Sequence, residues 1–91
     1  MDLFVIIGRD GPDAKTLRPQ LRPRHLDHVR AYDGEGRIRL AGPLTDGAGS
    51  LIVLAADSEQ DARAFAEADP YATGGVFDSV EIHPFKQVFP E

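Results

Sequence analysis

Two residues far apart in the chain are the best suited to do chemistry. His25 lies in Pro23-Arg24-His25-Leu26-Asp27-His28-Val29, and Asp69 lies in Ala66-Glu67-Ala68-Asp69-Pro70-Tyr71. At about 100° per residue, His25 shares a helical face with Leu26, Val29 and Tyr32, and so breaks an otherwise apolar stripe. Asp69 follows Ala62, Phe65 and Ala66 on a second stripe and breaks that one. A buried carboxylate without a partner is costly, and so is a buried imidazolium. Placed together, they satisfy each other. The carboxylate holds the imidazole in one tautomer and leaves its second nitrogen free to take or give a proton. The same pair also reads as a helix-to-helix hydrogen bond that only holds the fold, a staple that leucines could replace at little penalty. The sequence leaves both readings open.

Around that pair the residues suggest a pocket. Gly42-Pro43 ends one strand pattern and Ser50 begins the next, while Tyr71 follows Pro70 directly. Gly42 reads either as a place where a ligand meets the backbone closely or as a simple bulge. Ser50 has no adjacent base, which makes it a hydrogen-bond donor before a nucleophile. Tyr71 offers a ring and a hydroxyl to a pocket, or packs where a helix stops. With no cysteine in the chain there is no thiolate either. A lone acid–base pair without a nucleophile suits elimination or isomerisation better than hydrolysis. His28, at the rim of the His25 face, is expected to be a solvated surface residue, and His83, before Pro84, to be exposed. His25 and His28 are spaced i, i+3, but no HExxH or similar pattern supports zinc, and no metal site is expected. Gly8-Arg9-Asp10-Gly11 lacks the spacing of a phosphate loop.

These residues need a scaffold. Leu3–Ile7 is almost wholly apolar and reads as a central strand covered on both faces. Gly8 to Pro12 is turn chemistry. The stretch to Arg22 is assigned no element, because Pro19 and Pro23 break any long helix. Pro23 suits the first position of a helix that runs to Asp33 and ends at Gly34 and Gly36. Arg37–Gly42 alternates polar and apolar as a half-exposed strand, Pro43 to Gly49 is a loop, and Ser50–Ala56 is a second buried strand. Ser58 reads as the N-cap of a second helix with Asp61 three residues on, and Pro70 stops that helix. Val76–Ile82 is a fourth strand interrupted by Pro84. Phe85–Phe89 is a tail that adds a fifth edge strand or crosses to a partner. The order β-α-β-β-α-β is an α+β, ferredoxin-like arrangement with both helices on one face of an antiparallel sheet. Nothing is left to cover the other face of the apolar first and third strands, so two subunits are expected to stack sheet on sheet as a homodimer.

The 91 residues make a single domain, 1–91, of ordinary globular composition, 42% hydrophobic and 27% charged. Its longest apolar runs, Leu3–Ile7 and Leu51–Ala56, are too short to span a bilayer, and Asp2 stands where a signal peptide would carry basic residues. A cytoplasmic protein without membrane partners is expected. The net charge of −5 argues against a nucleic-acid partner. The charge is uneven, with eight Lys/Arg against six Asp/Glu up to Arg39 and two against nine beyond it. That asymmetry reads as attraction between halves or subunits, or as a small anion site near the first helix.

At a larger scale the chain resembles the YciI-like, or YCII-related, family. The pieces that carry the likeness are Leu3–Ile7, Arg22-Pro23-Arg24-His25-Leu26, Ala41-Gly42-Pro43, Gly49-Ser50, Ala68-Asp69-Pro70-Tyr71, Gly75-Val76-Phe77 and Pro84-Phe85, in the expected order. The resemblance implies a ferredoxin-like fold paired into a dimeric α+β barrel, with an active site on a His–Asp pair that falls here on His25 and Asp69. Some members are associated with dehydrochlorination of hydroxyquinone-type compounds, while others sit as domains beside unrelated proteins. The leading expectation is therefore a small cytosolic domain with His25 as acid or base and Asp69 as its orienter. Gly42, Pro43, Ser50 and Tyr71 line the pocket, and the substrate is a small aromatic or anionic molecule. A non-catalytic small-molecule binding or dimerisation module is the alternative. A haem- or flavin-using barrel fits poorly, since two tyrosines, five phenylalanines and no tryptophan leave little for an aromatic cavity. No cofactor is expected.

Overall fold

The most apolar segments form the middle of the sheet. The structure, a computed structural model, describes residues 1–91. Strand β1 (Asp2–Asp10) lies between β3 (Gly49–Ala56) and β4 (Phe77–Phe85), and β2 (Ile38–Pro43) flanks β3, giving the antiparallel order β2-β3-β1-β4. Helix α1 (Ala14–Asp33), α2 (Glu59–Ala68) and the single turn α3 (Pro70–Thr73) complete the chain. Pairing Ile6 with Ile52 and Phe4 with Leu54 points all four side chains at the helices. There they pack with Ala56, Ala62, Phe65 and Ala66, against which Val29 and Tyr32 of α1 also rest. Phe65 and Leu54 are completely buried. Truncating a core phenylalanine such as Phe65 to alanine costs about 3–5 kcal/mol. A smaller cluster of Ala14, Tyr71 and Val76, with Leu17, Leu21 and Phe77 against it, closes the end where α1 begins.

The βαββαβ order holds, but the barrel implied by the family resemblance does not. The sheet is open, with β2 and β4 at opposite edges and no pairing between them. Four strands in this order leave two free edges, and only pairing of those edges would close the sheet.

Several boundaries also differ from expectation. Strand β1 runs on through Gly8, Arg9 and Asp10, where turn chemistry was expected, because these residues continue the pairing with β3 and β4. Helix α1 begins at Ala14 and passes through both Pro19 and Pro23. These prolines stand four residues apart on the exposed face. The carbonyls they leave without an amide partner are open to water there, which softens the penalty of an interior proline. Strand β4 runs through Pro84, which pairs with Phe4. Because β4 is an edge strand, the missing N–H breaks no inner ladder. The tail beyond Phe85 adds no strand.

On the helix-free face the alternate residues Leu3, Val5, Ile7, Leu51 and Val53 make an apolar surface, extended by Leu40 and Phe85 at its margins. No helix of the chain is long and apolar enough to cross a membrane.

Candidate functional site

Asp69 occupies the junction of two helices. Helix α2 has ended at Ala68, and Asp69 is extended (φ −62°, ψ 126°), so it leaves the stripe that the sequence periodicity assigned to it. Pro70 starts α3 at the position where its missing N–H costs least. Asp69 Oδ1 accepts from the Tyr71 amide at 2.9 Å, which caps α3. The same oxygen lies 2.8 Å from His25 Nδ1. The carboxylate is 3% exposed and the imidazole 13%. The His–Asp meeting therefore occurs, but through a helix junction and not through a helical face.

That hydrogen bond defines the histidine. A buried carboxylate accepts, so Nδ1–H of His25 donates, and Nε2 remains without a protein partner. The ring is further held by Tyr71, which stacks on it with centroids 3.9 Å apart and planes 5° from parallel. Burial pushes the Tyr71 phenol above its ordinary range, opposed by the positive charges of Arg18 and Arg22.

Arg18 supports the other side. Its Nε and Nη2 each donate to Asp10 at 2.8 Å in a two-pronged pair, and Nη2 also donates to Ser50 Oγ at 2.9 Å. The guanidinium lies over the Tyr71 ring, 5.0 Å from its centroid. The hydrogen bond to Asp10 raises the Arg18 pKa further, against the effect of burial, so the group is charged at every working pH. Removing one partner of a buried pair costs about 3–5 kcal/mol; the 22% exposure of the Arg18 side chain puts this one at the lower end.

Ser50 is brought to this network by two glycines. Gly8 pairs with Ser50 and Gly49 with Arg9. A Cβ on Gly49 would collide with the Gly8 carbonyl, and Gly49 has φ +156°, which side chains rarely adopt. A Cβ on Gly8 would enter the Phe77 ring.

Together these elements enclose a cleft of about 260 Å³. His25, Gly42, Pro43, Ser50 and Tyr71 all line it, joined by Arg18, Arg22, Leu26, Val29, Ala41 and Ile52. Asp69 stands behind His25. A larger cleft of about 480 Å³, along Gly11, Lys15 and Leu44, does not reach the histidine. Arg18, Arg22 and Asp10 were not marked as site residues by the sequence. The signal for the arginines was present, since Arg18, Arg22, His25 and Val29 recur at i, i+4, i+7 and i+11. The intervening prolines hid it by arguing against a helix there.

Of the other histidines, His28 departs from expectation. It is partly buried, its Nε2 donates to the Phe65 carbonyl at 2.8 Å, and its ring stacks on Phe65. The Asp69 amide bonds to Ala66 in place of Phe65, so His28 takes a carbonyl that the end of α2 leaves free. His83 is more than half exposed beside Glu81. The Arg9 side chain, hydrogen-bonded to Glu81 at 2.6 Å, holds that carboxyl below its ordinary range, with His83 adding to the effect. No three His, Cys, Asp or Glu side chains converge to hold a metal ion.

Comparison with known proteins places nearly all of the chain. The sequence model of the YCII-related domain matches residues 2–86. The chain belongs to the YCII-related family. Protein YciI of Escherichia coli O6:H1 is 37% identical over an alignment that covers 96% of this chain and 99% of that protein. An uncharacterized protein of Haemophilus influenzae is 31% identical, with 94% and 98% covered. Among solved structures, a 5-chloro-2-hydroxyhydroquinone dehydrochlorinase from Burkholderia phenoliruptrix, in complex with 2,5-dihydroxybenzoquinone, superposes with a TM-score of 0.83. It covers 93% of this YCII-related chain and 94% of its own at 24% identity, a likeness that establishes the shared fold.

Proposed function

We propose that residues 1–91 act as one domain that moves a proton on a small molecule, with His25 as general acid and base and Asp69 as its orienting partner. The observation that carries this is the free Nε2 of a histidine whose other nitrogen is fixed 2.8 Å from a buried carboxylate, at the wall of a cleft. His25 Nε2 takes a proton from carbon. The freed electron pair then forms a double bond. In an elimination a leaving group departs; in an isomerisation the imidazolium returns the proton to another carbon. Gly42, Pro43, Ser50 and Tyr71 line the pocket in this reading. The dehydrochlorinase of the same fold takes its name from such an elimination, which supports the reaction class for this chain without naming its substrate.

The test is wash-in of solvent deuterium, followed by NMR, over a panel of small carbonyl and hydroquinone compounds that includes 5-chloro-2-hydroxyhydroquinone. The wild-type protein exchanges at least one of them and His25→Gln does not. Exchange that persists unchanged in His25→Gln sinks the reading.

A second reading, a non-catalytic binding or dimerisation module, is favoured by one observation: Asp69 also caps α3, so the pair has a structural use of its own. If His25→Ala lowers only affinity and stability, this reading wins. In either case we propose a cytosolic homodimer that buries the apolar helix-free face, with a small-molecule ligand and neither nucleic acid nor membrane as partner. Sedimentation of the wild type as a dimer and of Leu51→Lys as a monomer is the expected outcome; a wild-type monomer at micromolar concentration removes the dimer.

A further inference from the structure

The lining of the His25 cleft is unlike the rest of the molecule in charge. The chain carries a net charge of −5, yet the cleft is lined by two arginines and no carboxylate. The acids nearest to it are already committed, Asp10 to Arg18 and Asp69 to His25. Arg22 is left. It is exposed at the mouth, engages in no hydrogen bond or ion pair with the protein, and lies near enough to Tyr71 for its charge to act on the phenol. An arginine presents a planar fork that suits two oxygens of one group.

Ser50 adds a second, independent donor. It is 5% exposed, and its oxygen accepts from Arg18. A hydroxyl whose oxygen is engaged in this way still has its own proton to give, and Ser50 finds no protein acceptor for it. The remaining wall, Leu26, Val29, Ala41 and Ile52, is apolar and suits a hydrocarbon body.

The geometry points to a small organic oxyanion, a carboxylate or phenolate on an apolar body, as the ligand of this cleft, with Arg22 carrying its charge and the Ser50 hydroxyl donating to it. The inference rests on the cleft being the working site, but not on His25 acting as a base. Arg22 and His25 stand three residues apart on one face of α1, so an anion held by the first keeps its body beside the second.

The test uses two pairs of probes that share shape and differ in charge: benzoate with benzamide, and para-nitrophenolate with para-nitroaniline. Titrations followed by NMR are expected to show at least one anion bound at least about tenfold more tightly than its neutral partner, the worth of a charge-assisted hydrogen bond. The pair that discriminates tells carboxylate from phenolate. Arg22→Met keeps the length of the side chain and removes the preference, Arg22→Lys retains part of it, and Ser50→Ala weakens the anion alone. Arg24→Met, on the same helix but outside the cleft, leaves the preference intact. No saturable anion binding, equal binding within both pairs, or equal loss in Arg22→Met and Arg24→Met overturns the inference. His25→Gln separates it from the acid–base reading. If that variant holds the anion normally and still exchanges deuterium, the acid–base role falls and the anion seat stands. If Arg22→Met changes nothing while His25→Gln stops exchange, the reverse holds.

Discussion

His25 and His28 stand one turn apart on α1. Both are partly buried, both stack on an aromatic ring, and both have one nitrogen engaged. They differ in what engages it. His28 gives its Nε2 proton to a backbone carbonyl at the end of α2, where a histidine stabilises by supplying a missing donor. His25 gives its Nδ1 proton to a carboxylate, keeps its other nitrogen without a protein partner, and lines a cleft. Burial and stacking are common to the two and therefore say little about chemistry. The charge of the partner and the cleft that His25 alone lines separate them.

The sharpest way to break this contrast is to remove each ring. On a compound that the wild type exchanges, His25→Gln is expected to lower turnover by about 10²–10⁴-fold, the usual worth of a positioned acid or base. His28→Gln should leave turnover as it was; equal losses would mean that the two rings do one structural job. Asp69→Ala follows in size. It loses a helix cap, about 1 kcal/mol, and strands the His25 donor, about 1–3 kcal/mol more. Urea unfolding should show a lower midpoint with an unchanged slope. His28→Leu leaves the Phe65 carbonyl unpaired and should cost about 1–3 kcal/mol with turnover intact. An unchanged midpoint would show that water replaces the ring.

The smallest effect lies at high pH and distinguishes the two stacking partners. Burial raises the Tyr71 pKa above its ordinary value of 10.0, so the folded state holds that proton more tightly than the unfolded one. The resulting stability is complete below pH 10 and is lost as pH rises through the raised value. Phe65, under His28, has nothing to titrate. Tyr71→Phe should flatten thermal stability in that range, and a profile identical to wild type would place the alkaline loss elsewhere.

The sheet was readable because β1 and β3 are apolar at nearly every position, a pattern that few other elements produce. The first half of α1 was not. Two prolines argue for a break, and only the exposed face on which they stand makes them tolerable. Asp69 shows a subtler failure. The helical periodicity brought it toward His25 for the wrong reason, since the helix ends one residue earlier and the side chain arrives through an extended junction. His28 was misread because a sequence does not reveal which carbonyl of a neighbouring helix lacks its amide. The barrel came from family likeness alone, and the free edges of β2 and β4 correct it.

The double use of Asp69 also constrains how such a protein can change over generations. One carboxylate oxygen both orients a histidine and starts a helix. A descendant that made no chemical use of the pair would still lose stability by discarding the aspartate. The pair can therefore persist with or without chemistry in the cleft, and its presence in a sequence records the architecture of the junction.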